Sequence, residues 1–325
     1  MPPNAAAFSS PPWMAEDCHV MLSPFALLEV GGDDARAFLH AQLTSDVKAL
    51  DATNAQFSAW CNAQGRMLVN VILHAHRDAA GDETLRLFMR ADRLPEILRR
   101  LQKYVLRAKV SLAARVDLGV LGVCGASFLS TAFGFAPPPE DAALGVSACD
   151  ETTIIRLPDD RCLITAPRVL LDEYARRLAE RCPAADVQYW QWRDICAALP
   201  WIENATAEAF VPQMLDFEKT GVSFRKGCYP GQEIIARAHY QGEVKRHLYR
   251  LAAPSPLRID EDLYANADPR QPIGKVIAAA PVPHDPGRHA ALVVLLDAHA
   301  HDLAPLQPQR LAYAGQKTED GGQRK

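Results

Sequence analysis

The sequence predicts an α+β protein whose last part is a small all-β module. A β-hairpin followed by an amphipathic helix occurs twice before residue 182, which indicates two related α+β units. After His247 the chain changes to short apolar runs between connections rich in Pro, Gly and Asp, a pattern typical of a small barrel. At 325 residues the chain is also too long for one small core, which favours two or three domains.

The first unit opens with a strand over 26–30, and a short helix with one apolar face follows it. Two β-rich runs, at 56–61 and 67–74, flank the sequence Asn-Ala-Gln-Gly-Arg, which is a hairpin signal. A third strand is expected over 84–90. The next helix is the clearest in the chain, because apolar residues recur in it at helical spacing: Leu94, Ile97, Leu98, Leu101 and Val105.

The second unit repeats this order of elements. A strand is expected over 116–123, and a hairpin is expected from the runs at 152–157 and 161–166. The segment 169–181 is amphipathic through regularly spaced Leu and Tyr residues, which predicts the second covering helix.

Composition then suggests where the regions begin and end. The N-terminus is rich in Ala, Pro and Ser, and the C-terminus is polar, so neither is expected to be ordered. The predicted regions are a disordered lead-in over 1–18, an α+β region of two intertwined units over 19–246, a β-barrel over 247–314 and a disordered tail over 315–325.

Composition and charge exclude several classes of protein. A net charge of −4 argues against bulk non-specific binding of nucleic acid. No apolar run approaches the roughly 20 residues that span a bilayer, and no secretory signal is visible, so we expect no membrane association. The eight cysteines are scattered and form no CxxC pair, which leaves no visible zinc or cluster site. Reduced thiols in the cytoplasm are the simplest interpretation.

One stretch combines a reactive side chain with turn-forming residues, and it reads Lys226-Gly227-Cys228-Tyr229-Pro230-Gly231-Gln232-Glu233. Its glycines and proline predict a tight loop, and a helix is expected over 232–238. Cys228 would lie just ahead of that helix and two residues from Lys226, and both features favour thiolate over thiol. An exposed, activated thiol and a buried cysteine in a structural turn both fit this pattern.

The same octapeptide, K-G-C-Y-x-G-Q-E, resembles the signature of the YgfZ family of folate-binding proteins, which are related to the aminomethyltransferase (T-protein) of the glycine cleavage system. The resemblance extends through 210–237 and to the segment 32–47. It implies two ferredoxin-like α+β units of the aminomethyltransferase folate-binding type, followed by a small C-terminal β-barrel. It also implies tetrahydrofolate or another folate as the cofactor.

The function that the resemblance implies is that of a folate-binding accessory factor for the assembly or repair of iron–sulfur proteins, including tRNA-methylthiolating enzymes. Its partners would be iron–sulfur enzymes or assembly factors, and direct contact with tRNA is left open. Cys228 would act as a thiolate that Lys226 helps to ionise. Gly227, Tyr229 and Gly231 would shape the loop, and Gln232 and Glu233 would anchor it by hydrogen bonds.

The resemblance also implies which residues contact folate. Phe25 and Trp190 stand where the family has aromatic residues against the ligand, and Arg237 is the best candidate for an anion contact. The carboxylate that holds the pteridine in relatives aligns with Cys196, which cannot accept two parallel N–H bonds.

Three alternatives stay open beside the accessory factor. The resemblance implies that a tetrahydrofolate-dependent aminomethyl transferase would need aspartates where this chain has Val69 and Asn70, so we expect the transfer chemistry to be absent. A cysteine hydrolase or acyl transferase would need a histidine base, and His239 is the nearest in sequence to Cys228. A binding module with an inert cysteine is the third. We therefore expect an accessory factor rather than an enzyme.

Overall fold

Three five-stranded antiparallel sheets form the framework of the protein, as seen in a computed structural model. The structure describes residues 17–311 except 79, 126–128, 243, 266–267, 286 and 307. The first sheet contains, in spatial order, β3 (Gln56–Cys61), β4 (Met67–Arg77), β5 (Glu83–Arg90), β2 (Phe25–Gly31) and β6 (Ser111–Ala114). Two helices cover one face of this sheet, namely α1 (Ala35–Gln42) and α2 (Leu94–Val105).

The second sheet repeats this arrangement. Its strands, in spatial order, are β1 (Cys18–Met21), β7 (Leu118–Cys124), β10 (Arg161–Pro167), β9 (Thr152–Arg156) and β8 (Val146–Cys149). Helices α3 (Leu129–Phe133) and α4 (Arg168–Ala179) pack on one face. Although β1 directly precedes β2 in the chain, it pairs with β7 of this sheet.

The third sheet lies in the C-terminal part of the chain. It contains β12 (Asp262–Ala265), β13 (Asp268–Pro281), β14 (His289–Leu296), β11 (Arg246–Ala253) and β15 (Gln309–Arg310), with β12 and β15 at its edges. A 3-10 segment, Asp297–Leu306, packs against it. The predicted all-β module is thus confirmed as a five-stranded sheet, whereas its closure into a barrel stays a prediction.

Short helices connect the sheets and carry the candidate site. They are α5 (Val187–Cys196), α6 (Glu218–Gly221) and α7 (Gln232–Gln241), together with the 3-10 turns Val47–Ala49, Asn204–Thr206 and Pro212–Leu215. No helix in the described ranges is long and apolar enough to cross a membrane.

The largest hydrophobic cluster joins all three sheets. It includes Phe88 of the first sheet, Ile155 of the second and Val294 of the third, all fully or almost fully buried. Burial of apolar surface from each sheet in one cluster explains why the α+β units and the β module assemble together. Residues from α5 and α7 join the same cluster, so both helices are fixed near the centre of the molecule.

The predicted α+β fold class is confirmed, and the main differences lie in short elements. The predicted helices over 94–105 and 169–181 appear as α2 and α4, and the strand expected over 116–123 begins at Leu118. Strand β6 was missed because its sequence, Ser-Leu-Ala-Ala, is short and only half buried. Residues 1–16 and 312–325, most of the predicted disordered ends, lie outside the described residues, and the region boundaries stay predictions.

Candidate functional site

The loop with the cysteine motif packs against the turn between β3 and β4. Helix α7 begins at Gln232, as predicted, and its N-cap is Gly231 with φ of 79°. A Cβ atom at Gly231 would lie 2.4 Å from the Asn62 carbonyl oxygen and 2.7 Å from the Gly65 Cα. The two backbones therefore touch directly, and only glycine permits both this φ and this approach.

Lys226 fixes the other end of the loop. Its buried ammonium donates hydrogen bonds to the carbonyl oxygens of His40, Leu43 (2.5 Å) and Ser45 (3.0 Å). These carbonyls lie at and just beyond the C-terminal end of α1, where helices leave acceptors without intrahelical donors. Burial lowers the pKa of Lys226 to about 8. The lysine thus ties the loop to α1, and its nitrogen is also 5.0 Å from the Tyr229 ring centroid.

Cys228 lies exposed at the tip of this loop, while its neighbour Tyr229 points into the core. Burial raises the pKa of Tyr229, so the phenol stays protonated. The exposed position removes the alternative of a buried cysteine, because the thiol is open to reagents and partners. The loop is held rigidly on both sides of an accessible sulfur, and activation of that sulfur stays a prediction.

The side chains predicted to support the cysteine have other surroundings. The Lys226 ammonium is committed to three carbonyls, so its role in ionising the thiol stays a prediction that these contacts do not favour. Within the described part of the chain, neither Gln232 nor Glu233 forms a side-chain hydrogen bond; the backbone N–H of Gln232 donates to the Tyr229 carbonyl at 3.2 Å. Lys226 and Gly231, rather than this pair of side chains, hold the loop.

The histidine beside the loop is His40, which the sequence analysis did not single out. His40 Nε2 is 4.0 Å from the place a Cβ would occupy on Gly227, next to Cys228. Its Nδ1 is 3.2 Å from Asp46 Oδ1. Burial, together with the charge of Lys226, lowers the pKa of His40, so the imidazole is neutral at physiological pH. The segment that resembles the family contains His40, which was the available signal.

His239, the histidine proposed from sequence, has other contacts. Its ring stacks on Phe224 at 4.0 Å between centroids, and its Nδ1 is 3.2 Å from Glu218 Oε2. These contacts place the imidazole on the opposite half of α7 from the loop. Proximity in sequence was therefore a poor guide, because it did not point to His40, which approaches the loop at Gly227.

The two aromatic residues assigned to folate differ in accessibility. Phe25 stacks on Phe88 at 4.7 Å between ring centroids and meets the edge of Trp201. Trp190 is 1% exposed, and the Arg161 guanidinium lies 4.3 Å from its ring centroid.

Strand β7 packs closely against Trp190 as well, because a Cβ on Gly122 would come within 2.3 Å of the indole. Trp190 is therefore a core residue in this structure, with no ring face open for a ligand to stack on. Arg237, the third residue assigned to folate, lies exposed on α7. Its contact with an anion stays a prediction.

Asp194 is a buried carboxylate that the sequence analysis did not single out, and it links Arg161 to Trp201. Asp194 Oδ1 is 2.7 Å from Arg161, and its Oδ2 accepts a hydrogen bond from Trp201 Nε1 at 3.1 Å. Burial raises the pKa of Asp194 to about 6, although Arg161 opposes the shift. The signal in the sequence was the single acid of α5, two residues before Cys196.

Asp194 lines a narrow cleft between α5 and β13. Arg90, Trp201 and Glu203 form the same lining, and Arg90 pairs with Glu203 at 2.9 Å. A carboxylate, flat rings and a guanidinium are groups that suit a pteridine. The cavity is only about 30 Å³, so a folate would enter only if the cleft widened. Burial raises the pKa of Cys196 to about 11, which leaves Asp194 as the nearby anion.

Val69 and Asn70, which stand where the aminomethyltransferases carry aspartates, have a structural role in this protein. Asn70 is buried, donates to the Pro200 carbonyl at 2.9 Å and accepts from the Ile202 N–H at 2.8 Å. Val69 is buried as well. Both groups of the amide are therefore occupied by backbone. Across the described residues, no group of three or more His, Cys, Asp or Glu side chains is arranged to hold a metal ion.

Comparison with solved structures identifies the class of fold. The glycine cleavage system aminomethyltransferase T from Bartonella henselae superposes with a TM-score of 0.68, covering 88% of this chain and 80% of that one at 20% identity. The protein therefore has the aminomethyltransferase T fold. No family model matches the sequence.

Curated relatives identify the family. The chain is 34% identical over 266 residues to a protein of Sodalis glossinidius, covering 80% of each chain. It is 31% identical to a Photorhabdus laumondii protein over 82% of this chain and 81% of the relative, and 33% identical to a Serratia proteamaculans protein over 71% and 70%. Each relative is named tRNA-modifying protein YgfZ. The protein belongs to the YgfZ family.

Proposed function

We propose that this protein is a folate-binding accessory factor that acts in the cytoplasm on iron–sulfur proteins, including enzymes that methylthiolate tRNA. The observation that carries the proposal is the exposed Cys228 on a loop that Lys226 and Gly231 hold from both sides. A thiol presented in this way is accessible to another protein. The names of the relatives support the connection with tRNA modification.

The distribution of cysteines supports a specific use of this thiol. Five of the eight cysteines are buried and Cys196 is partly buried, which leaves Cys149 and Cys228 exposed. One thiolate cannot hold a cluster alone, so a cluster would contact Cys228 together with ligands from the client protein. The role proposed for Cys228 is therefore transient handling of sulfur, cluster or redox equivalents during repair.

The first prediction tests this use of the thiol. In a bacterium that lacks its own homologue, the wild-type protein is expected to restore tRNA methylthiolation and the activity of an iron–sulfur dehydrogenase, whereas Cys228→Ala is expected to restore neither. Cys149→Ala is the matched control, because it removes the other exposed thiol and is expected to behave as wild type. Equal rescue by Cys228→Ala would show that the thiol is dispensable and the proposed role is wrong.

For folate, the proposal places the ligand at the cleft that contains Asp194, with Arg90 and Trp201 as its neighbours. A carboxylate that accepts N–H groups of a pteridine must be ionised. In this scheme Asp194 supplies the carboxylate that the family resemblance assigns to the position of Cys196, two residues later in α5. Phe25 supports Trp201 from behind through its edge-on contact.

The second prediction follows from the raised pKa of Asp194, about 6. Because the ionised fraction falls as pH drops below this pKa, the affinity for a reduced folate is expected to decrease about tenfold between pH 7 and pH 5. Isothermal calorimetry of the wild type and Asp194→Asn measures this. The variant is expected to bind weakly at both pH values. An affinity that is the same at pH 5 and pH 7 in the wild type would assign the ligand to other groups.

The aminomethyl transferase remains a second candidate because of the shared fold. Val69 and Asn70 carry no carboxylate, and the Asn70 amide is fully engaged with backbone, which argues against the transfer chemistry. A cysteine hydrolase would now use His40 rather than His239, since His40 lies beside the loop. Failure of the wild type in the rescue assay would direct attention to these activities.

A further inference from the structure

A second cleft lies between α7 and the C-terminal sheet. Its volume is about 930 Å³, and its lining includes Gln213, Glu218, His239, Tyr240, His247 and Arg310. It shares no lining residue with the cleft that contains Asp194, and Cys228 is not part of it. A cleft of this volume is in the range of sites for small organic ligands.

The floor of this cleft carries a buried acceptor. Gln213 is 4% exposed, and its Nε2 donates to the Ile235 carbonyl at 2.8 Å. Its Oε1 is buried and has no hydrogen-bond partner among the described residues. Such an acceptor is unfavourable unless a donor reaches it. The oxygen is closed to solvent in this structure, so a donor from the cleft reaches it only if the Gln213 side chain turns.

Two histidine–carboxylate pairs form the walls. Glu218 is paired with His239, and Asp297 Oδ2 is 2.7 Å from His247 Nδ1. Tyr249 Oη also donates to Asp297 at 3.0 Å, which fixes that carboxylate further. Each histidine is oriented through Nδ1 by its carboxylate, and both residues line the cleft. The walls therefore offer both donors and acceptors for hydroxyl groups.

The lining of the cleft also includes an exposed aromatic ring and an exposed cationic side chain. Tyr240 is 69% exposed and lies edge-on to His239, with 4.7 Å between ring centroids. An exposed ring beside an imidazole is a surface on which a flat heterocycle can stack. Arg310, which also lines the cleft, is exposed and supplies positive charge for a phosphate.

We propose that this cleft binds a nucleotide. The base stacks on Tyr240, the ribose hydroxyls bond to the carboxylates of the walls, and the phosphate meets Arg310. The nucleotide could be free in solution or an unpaired residue of an RNA, since the chemistry recognised is the same.

Binding of defined probes to the full-length protein tests this proposal. The probes are AMP, GMP, ribose 5-phosphate, a reduced folate and a short unpaired RNA labelled with fluorescein, measured by calorimetry or anisotropy. Tyr240→Ala is expected to weaken binding of a mononucleotide at least about tenfold, because stacking on the base is lost. The same variant is expected to leave the affinity for ribose 5-phosphate unchanged. Arg310→Ala is expected to weaken every phosphate-containing probe.

Matched controls are exposed residues of the same types elsewhere in the C-terminal sheet region. Tyr264→Ala and Arg258→Ala, in which the wild-type side chains are exposed, are expected to bind every probe as the wild type does. Tighter binding of the RNA than of AMP and GMP, with the same loss in Tyr240→Ala, would identify RNA as the source. Equal affinities would identify a free nucleotide. The proposal is overturned if no nucleotide binds, if Tyr240→Ala matches its control, or if folate alone binds here.

Discussion

Replacing Gly231 with alanine is expected to lower the free energy of unfolding by about 2–4 kcal/mol. The new Cβ would lie 2.4 Å from the Asn62 carbonyl oxygen and 2.8 Å from the Gly65 nitrogen, both of which are backbone atoms that cannot rotate away. The positive φ at this position adds strain for any other residue. Urea denaturation followed by circular dichroism measures the change.

Gly227→Ala is the matched control for this variant. A Cβ at Gly227 would have no neighbour closer than His40 Nε2 at 4.0 Å, and the residue is exposed. Its effect on stability is expected to stay within about 0.5 kcal/mol. If the two alanine variants were equally stable, the contact between the loop and the β3–β4 turn would not contribute to folding, and the rigid presentation of Cys228 would lose its basis.

Lys226→Met is expected to have the second large effect, a loss of about 2–4 kcal/mol in the free energy of unfolding at pH 7. Methionine fills a similar volume but leaves the carbonyls of His40, Leu43 and Ser45 without their buried donor. Unsatisfied buried acceptors retain their full desolvation penalty. Lys48→Met removes an exposed lysine nearby and is expected to change stability by less than about 0.5 kcal/mol.

The pH dependence of the free energy of unfolding gives an independent check on the buried position of the Lys226 ammonium. Because burial lowers the pKa of Lys226 from 10.5 to about 8, the unfolded state binds more protons than the folded state between these values. The free energy of unfolding of the wild type is therefore expected to rise over this range relative to Lys226→Met. A constant difference between the two proteins from pH 7 to pH 10 would contradict the buried position of the ammonium.

Local patterns in the sequence predicted the parts of the site that depend on local geometry. The glycines and proline of the motif indicated a tight loop and a helix start, and α7 begins at Gln232. The spacing of apolar residues likewise indicated α2 and α4. Such features depend on neighbouring residues, so a linear pattern is enough to find them.

Contacts between distant segments could not be predicted in this way. The carbonyls that bind Lys226 lie more than 180 positions earlier in the chain, and His40 approaches the loop from the same segment. The sequence therefore suggested roles for Lys226 and His239 from proximity alone. Asp194 was missed for a related reason, since alignment of the motif directed attention to Cys196, two residues further along α5.

The pairing of β1 with β7 has a consequence for the order of folding during synthesis. β1 is the most N-terminal strand among the described residues, yet Cys18 in this strand pairs in register with Cys124, about one hundred residues later. β1 therefore stays unpaired until the strands of the first sheet and β7 have been synthesised, and only then does it pair with β7 at the edge of the second sheet. Removal of β1 would thus expose β7 at the edge of the second sheet, although most of that sheet is translated long after β1.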